Sequence, residues 1–252
     1  MQAFSALHRA GAPLLLPNAW DVASAVVIAD AGAAAIATTS AGVAWSLGVP
    51  DGADLGADRV AEVVGRIVSA VGVPVSADIE GGYADVAATT TAVIEAGASG
   101  VNLEDGTREP AEQADRLSAA RAAADELGDA IWLNARTDLF LAGPGSVDEA
   151  LARAERYAEA GADSLFVPGL TDLGAITELA NGPLPLAVMV QYGAPTVAEL
   201  TAAGVVRISL GSAIAQAAYG LAARATTELL KAGTYPATRE GFPYDAMNRL
   251  LG

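Results

Sequence analysis

Glu95-Ala96-Gly97-Ala98-Ser99-Gly100-Val101-Asn102-Leu103-Glu104-Asp105 holds the repeating unit of this chain in eleven residues. A glycine ends an amphipathic helix as its C-terminal cap, a short apolar run follows as a strand, and carboxylates stand at the strand's end. The same Ala-Gly-Ala punctuation occurs at Ala31–Ala33 and Ala160–Ala162, and Ala203-Gly204 is a close relative. Working outward from it, the apolar runs predict eight strands: Leu14–Pro17, Ala35–Thr39, Val73–Ala77, Gly100–Glu104, Ile131–Ala135, Ser164–Val167, Leu186–Val190 and Val205–Leu210. Helical patterns separate and follow them: Val22–Ala31, Ala57–Val71, Val86–Ala96, Glu112–Leu127, Val147–Ala160, Asp172–Ala180, Thr196–Ala203 and Ser212–Lys231. Eight strand–helix units imply a closed parallel α/β barrel, the (β/α)8 TIM barrel. A doubly wound open sheet is the alternative, weakened because no glycine-rich dinucleotide fingerprint follows the first strand.

No linker divides the 252 residues, so the chain reads as one domain, with residues 234–252 as a C-terminal appendage. Gly143-Pro144-Gly145 is a local turn before a helix capped by Ser146. The apolar share is 52% with only 5% aromatics, so the core is built from Ala, Val, Leu and Ile. Such a core suits a parallel sheet covered by helices. Thirty acids against 14 bases give a net charge of −16, which argues against nucleic acid or an anionic membrane as partner. The absence of cysteine excludes disulfides, thiolate zinc sites and cysteine nucleophiles. His8 is the only histidine, so a multi-histidine metal site is excluded. Lys231 is the only lysine and reads as a cation at a helix C-terminus before Gly233, which argues against Schiff-base chemistry. Met1–Ala10 shows no signal peptide, and no uninterrupted apolar run reaches the ~18–20 residues of a membrane span, so the expectation is a soluble, cytoplasmic protein.

Chemistry concentrates where strands end. Asp78-Ile79-Glu80, Glu104-Asp105 and Arg136-Thr137-Asp138 each follow an apolar run. In a barrel those ends share one rim, the face that carries chemistry. Asp78 and Glu80, two residues apart, project to the same side. With Glu104, and with Asp51 through water, they are candidate oxygen ligands for Mg2+ or Mn2+. Carboxylates crowded at a rim are costly without a cation. Arg136 suits a substrate carboxylate or a developing enolate, or else a structural salt bridge with Asp138. Thr39, Ser40, Ala41 and Gly42 form a small-residue stretch whose backbone N–H groups can approach a carboxylate closely. Tyr83 offers a hydroxyl for proton traffic or ligand contact, or else packs. Trp45 is a candidate pocket wall, and Asn18, Asn102 and Asn134 are candidate hydrogen-bond donors.

These residues resemble, over nearly the whole chain, the isocitrate lyase/phosphoenolpyruvate mutase superfamily. The resemblance rests on Pro17-Asn18-Ala19-Trp20-Asp21, Thr39-Ser40-Ala41-Gly42-Val43-Ala44, Leu47-Gly48-Val49-Pro50-Asp51, Asp78-Ile79-Glu80-Gly81-Gly82-Tyr83, Asn102-Leu103-Glu104-Asp105 and Asn134-Ala135-Arg136-Thr137-Asp138, in that order. It implies a (β/α)8 barrel whose eighth helix swaps between subunits, usually in a dimer of dimers, with Mg2+ and a 2-oxo acid substrate. Asp78 and Glu80 then fall on the family's two metal aspartates, Glu replacing the second. Glu104 and Asp51 fall on its other metal-site acids, Arg136 on the arginine that holds the substrate, and the Thr39–Ala41 backbone where the substrate carboxylate is gripped. Two departures stand out. The Lys-Lys-Cys-Gly-His-type lid of the lyases, whose cysteine supplies a proton, has no counterpart, because Glu104-Asp105 runs through Gly106-Thr107-Arg108 into a helix at Pro110. The lid asparagine of the mutases is missing as well. Trp45–Asp58 is the candidate replacement cover.

Together these readings predict a Mg2+-dependent lyase that cleaves a C–C bond of a small 2-oxo or 2-hydroxy acid through an enolate. Arg136, Tyr83 and Glu104 are the candidate catalytic residues. The alternatives are P–C bond chemistry on phosphonopyruvate or phosphoenolpyruvate, and a 2-oxo acid binding protein with little turnover. A homo-oligomer, dimer or tetramer, is expected.

Overall fold

The computed structural model describes residues 4–128, 131–141 and 143–252. Strands and helices alternate: β1 Leu14–Leu16, β2 Asn18–Ala19, α1 Val22–Asp30, β3 Ile36–Thr38, α2 Ser40–Ser46, α3 Ala57–Ala70, β4 Val75–Asp78, α4 Val86–Glu95, β5 Gly100–Glu104, α5 Pro110–Leu127, β6 Trp132–Arg136, α6 Val147–Glu159, β7 Ser164–Val167, α7 Leu173–Ala180, β8 Leu186–Met189, α8 Val197–Ala202, β9 Arg207–Ser209, α9 Ala213–Ala232 and α10 Tyr244–Leu251. The strands pair in parallel in the order β1-β9-β8-β7-β6-β5-β4-β3-β2. Only Pro17 separates β1, which pairs with β9, from β2, which pairs with β3. Proline has no N–H for the ladder, so it breaks the strand there. Its carbonyl still accepts the Ala37 N–H at 3.1 Å. The nine segments are therefore eight staves of one barrel, the first broken in two, and the open-sheet alternative falls. That first stave runs on to Ala19, two residues past the expected Pro17.

The glycine punctuation does what its position demands. Gly32, Gly97, Gly161 and Gly204 sit just past α1, α4, α6 and α8 with φ of 95°, 95°, 92° and 92°. This is the left-handed region that only glycine enters without a Cβ penalty. Each helix is thereby turned back into the next strand.

Strands buried on both faces match the near-continuous apolar runs that mark them. Outward-facing residues such as Val101, Leu133 and Leu165 pack under the helices with Leu117, Tyr157 and Ile176. The barrel interior is polar. Arg207, 1% exposed, donates from Nη2 to Asn102 Oδ1 at 2.9 Å and to Ser76 Oγ at 3.4 Å. Asn134 Nδ2 donates to the same Asn102 oxygen at 2.8 Å, and Trp132 Nε1 to Ser164 Oγ at 2.7 Å. At the amino-terminal end of the barrel, Phe4 sits against Gly100, and His8 stacks on Trp132 with ring centroids 4.0 Å apart. Burial, with Arg207 nearby, pushes His8 down to about 4. His8 is thus part of the structural plug beneath the barrel. The reading of Met1–Ala10 lies partly outside the described residues; from Phe4 to Leu7 they form a 3-10 turn.

Two helices were not legible in the sequence. Ser40–Ser46, read as a small-residue stretch, is the helix α2, and its Gly42 leaves room for Thr39 and Trp20, whose carbons lie 2.8 Å from where a Cβ would stand. The appendage after residue 234 contains α10, which packs on α1. By contrast α9, capped by Gly233 with Lys231 in its last turn, buries only Ala215. Near its start, Ile214 borders a groove of about 600 Å3 on the barrel flank, with Leu14, Leu15, Ile28 and Ala33. Leu15 remains 50% exposed there. Among the described residues, no helix is long and apolar enough to cross a membrane.

Candidate active site

The carboxyl ends of the strands open into a cavity of about 210 Å3. Its polar side is made by Asn18, the Thr39–Ala41 segment, Asp51, Asp78, Asn102 and Arg136. Its other side is made by Leu141, Phe166, Pro168 and Met189, closed by Ser209, Gly211 and Ser212. The larger flank groove has no converging polar groups, so chemistry belongs to the smaller cavity.

Asp78 ends β4 at its centre. Its N–H donates to Thr38 Oγ1 at 2.8 Å, and its Oδ2 accepts the Ser40 N–H at 3.3 Å. Thr39 is the N-cap of α2 without a side-chain capping bond. The first-turn N–H groups of a helix have no intrahelical partner; Ser40 gives its N–H to Asp78, and the Ala41 N–H remains at the cavity. Glu80 and Tyr83 follow with φ of 51° and 49°, the positive-φ residues other than glycine among those described. Such conformations cost roughly 1–3 kcal/mol each and persist where the surroundings impose them. Here the Glu80 carbonyl accepts the Glu104 N–H at 2.9 Å, which ties the turn to β5, and Tyr83 Oη donates to Glu80 Oε1 at 2.8 Å. Burial raises Glu80, against the Tyr83 hydrogen bond, and Asp78 and Asp51 add to the rise. Burial and the Glu80 hydrogen bond push Tyr83 well above the usual phenol range, so its proton stays on.

Arg136 ends β6 and is held on two sides. Nη1 pairs with Glu104 Oε2 at 2.8 Å, Nε donates to Asp138 Oδ1 at 2.6 Å, and Nη2 to Asp138 Oδ2 at 3.2 Å. Arg136 makes the ion pair with Asp138 and also lines the cavity. Burial disfavours its charge, but Asp78, Glu104 and Asp138 outweigh that and hold it protonated. Burial raises Glu104 to about 7, with Arg136 opposing and Asp78, Asp138 and Glu80 adding. Asp138 also rises through burial despite Arg136.

Glu104 and Asp105, adjacent in sequence, part company. Asp105 is fully buried and faces away from the rim. It accepts the Asp138 N–H at 2.9 Å, Arg153 Nη1 at 2.5 Å and Tyr157 Oη at 2.9 Å. The α6 residues thereby fix the segment that carries Arg136 and Asp138. The residue missed most completely was Arg207, which braces Asn102 from below. A charge within the apolar run Val205-Val206-Arg207-Ile208-Ser209 was the available signal, since a buried arginine needs partners inside the barrel.

Several candidates lie elsewhere than expected. Trp45 is edge-on to Tyr219 of α9, 6.2 Å between centroids, and does not line the cavity. Asn134 is fully buried one layer below the floor and reaches the cavity only through Asn102. Glu80, Tyr83 and Glu104 flank the cavity rather than line it. Among the described residues, no three His, Asp or Glu side chains converge closely enough to cage a metal. The expected trio of carboxylates is therefore not pre-assembled, because Glu80 is turned to Tyr83 and Glu104 to Arg136. The donor set still fits a hard cation that takes one or two carboxylates and keeps several waters. Asp78 and Asp51 are the carboxylates of that set that line the cavity, and the Asp78 charge acts on Glu80, Glu104, Asp138 and Arg136.

A parallel eight-stave barrel with carboxylates and an arginine at its carboxyl rim defines a (β/α)8 enzyme scaffold with its site in the usual place. The phosphoenolpyruvate phosphomutase family model matches residues 4–230, so the chain belongs to that family, within the isocitrate lyase/phosphoenolpyruvate mutase superfamily of lyases and mutases. It is similar to a Mycobacterium tuberculosis protein, Rv1998c, of uncharacterized function, with 37% identity covering 83% of this chain and 81% of that one. It is also similar to the 2-methylisocitrate lyase of Escherichia coli, with 33% identity covering 77% of this chain and 71% of that one. The crystal structure of a candidate phosphonomutase from Burkholderia cenocepacia superposes with a TM-score of 0.83 at 44% identity, covering 92% of this chain and 97% of that one.

Proposed function

We propose that the protein is a divalent-metal-dependent lyase that breaks a C–C bond of a small 2-oxo or 2-hydroxy acid by way of an enolate. One observation carries this reading: Arg136, pinned by Glu104 and Asp138, faces Asp78 and the start of α2 across one small cavity. Asp78 would hold the cation, with Asp51, Glu80 and Glu104 as the further acids that would share it. When bound, Mg2+ or Mn2+ supplies Lewis-acid polarisation of the substrate's oxo group. The Ala41 N–H at the start of α2 receives the substrate carboxylate, while Ser40 gives its N–H to Asp78. Arg136 donates to the oxygen on which negative charge develops, and its two carboxylate partners keep the fork aimed there, so little reorganisation is left for the reaction itself. Burial raises Glu104 in the metal-free protein, and its contact with Arg136 puts it beside the developing charge, which suits it to take and return a proton. Tyr83 keeps its proton and orients Glu80.

The phosphonomutase-like relative supports a second reading, P–C bond chemistry at the same centre. A third, a 2-oxo acid binding protein with little turnover, predicts ligand binding without products. Proton and phosphorus NMR separates the three. The purified protein with Mg2+ is given oxaloacetate, 2-alkylmalates, isocitrate, 2-methylisocitrate, phosphonopyruvate and phosphoenolpyruvate. The lyase reading expects pyruvate, glyoxylate or oxalate from a carbon acid, lost in Asp78→Ala. A changed phosphorus spectrum with no carbon-acid product refutes it.

We propose further that the protein is a homo-oligomer, working in the cytoplasm. The sparsely buried α9 and the flank groove that exposes Leu15 support an exchange in which a second copy's α9 covers each groove.

A further inference from the structure

The cavity has one face for charge and one without it. Asp51, Asp78 and Arg136 stand on the first, and Leu141, Phe166, Pro168 and Met189 make the second. Arg136 is the one cationic side chain lining the cavity among the described residues, and both sides of its guanidinium already meet carboxylates. The neighbouring arginines are committed elsewhere. Arg207 lies under the floor on Asn102, Arg153 binds Asp105 and Glu149, and Arg108 binds the Asp105 carbonyl and Glu112. Among the described residues, no cationic side chain but Arg136 lines the cavity.

Charge points the same way: Glu104 and Asp138 on Arg136, with Asp51 and Asp78 at the cavity, already outweigh its single positive charge, so an anionic tail meets no free cation here. A second carboxylate or a phosphonate pressed on the apolar wall would be desolvated without a partner, which is strongly unfavourable. The cavity, about 210 Å3, suits a small acid.

We propose that the substrate is a monoanionic 2-oxo acid whose C3 substituent is uncharged and largely apolar, seated against Leu141, Phe166, Pro168 and Met189. This rests on the reading of the site as a metal-dependent 2-oxo acid centre and narrows it. For a lyase the substrate class is then a 4-hydroxy-2-oxo acid. The C3–C4 bond breaks, its electron pair stays on C3 as the enolate of pyruvate, and C4 leaves as an aldehyde or ketone. The C4 hydroxyl proton is lost and C3 gains one, so the products balance the substrate and no co-reactant is needed.

The test is calorimetric binding to the full chain with Mg2+, using oxalate as a head-only probe and two five-carbon acids that differ only at the tail, 2-oxopentanoate and 2-oxoglutarate, with phosphonopyruvate as a third tail. The proposal expects oxalate to bind and 2-oxopentanoate to bind at least about tenfold more tightly than 2-oxoglutarate or phosphonopyruvate. Leu141→Arg, at a 49% exposed position that tolerates the change, is expected to narrow or reverse that ratio while leaving oxalate affinity unchanged. Phe166→Arg repeats the test from the buried part of the wall. Comparable affinities, or tighter 2-oxoglutarate or phosphonopyruvate, overturn the proposal alone, provided oxalate binds. If oxalate itself does not bind, the reading of the centre falls and the proposal falls with it.

Discussion

Asp105→Asn removes one charge from the interior and should cost more than any change at the rim. Asp105 is fully buried, and its carboxylate satisfies the Asp138 N–H, Arg153 Nη1 and Tyr157 Oη at once. An asparagine can keep the bond to the Asp138 N–H through its oxygen. Its NH2 then confronts two donors, and Arg153 is left with Glu149 alone. Breaking a buried pair by removing one partner costs about 3–5 kcal/mol. Because Glu149 survives as a half-exposed partner, the low end applies, about 3 kcal/mol. For a chain of this size, ~2–4 °C is lost per kcal/mol, so Tm should fall by roughly 6–12 °C. Thermal unfolding by circular dichroism measures it, and the Arg153→Met double-mutant cycle assigns the share belonging to the pair. A fall of less than about 2 °C would show that Asp105 does not anchor the segment carrying Arg136 and Asp138.

Other expectations follow from the same geometry. Arg136→Lys keeps the charge but loses the two-pronged contact with Asp138, so Mg2+-dependent oxalate affinity should fall about 10–150-fold, the worth of one charge-assisted hydrogen bond; calorimetry reads it, and a change below threefold contradicts the role. Glu104, raised from 4.5 to about 7, binds its proton more tightly folded than unfolded. Its stabilising contribution is therefore fully present below about pH 4.5 and is lost as pH rises through about 7. In metal-free protein Glu104→Gln should flatten that part of the urea-stability profile, and an unchanged slope refutes the assignment. Leu15→Arg, on the exposed groove, should move the protein toward monomer in sedimentation velocity without altering its circular dichroism, and an unchanged oligomer removes the groove from the interface.

The barrel was legible because two periodic signals agree: glycines at left-handed caps and apolar runs after them. The acids and Arg136 were legible because strand ends in such a barrel share a rim. What escaped depended on side-chain direction. Glu104 and Asp105 point opposite ways, so adjacent acids meet Arg136 at the rim and Arg153 in the scaffold respectively. Glu80 was expected as a second ligand from its spacing to Asp78 and from the family resemblance; what neither signal showed is the left-handed backbone that brings it to Tyr83. α2 was hidden because Thr39-Ser40-Ala41-Gly42 lacks a strong helical pattern and is fixed instead by packing on Trp20. The apolar wall came from four residues, Leu141 after β6, Phe166 and Pro168 at the end of β7 and Met189 at the end of β8, which no local motif connects.

The most direct test of the account is Mg2+-dependent oxalate binding, measured by titration calorimetry on the wild type and on Asp78→Ala. The account predicts binding by the wild type only when Mg2+ is present, and no binding by Asp78→Ala under either condition. Oxalate binding that ignores Mg2+, or that survives in Asp78→Ala, would contradict a metal-dependent 2-oxo acid centre at this rim.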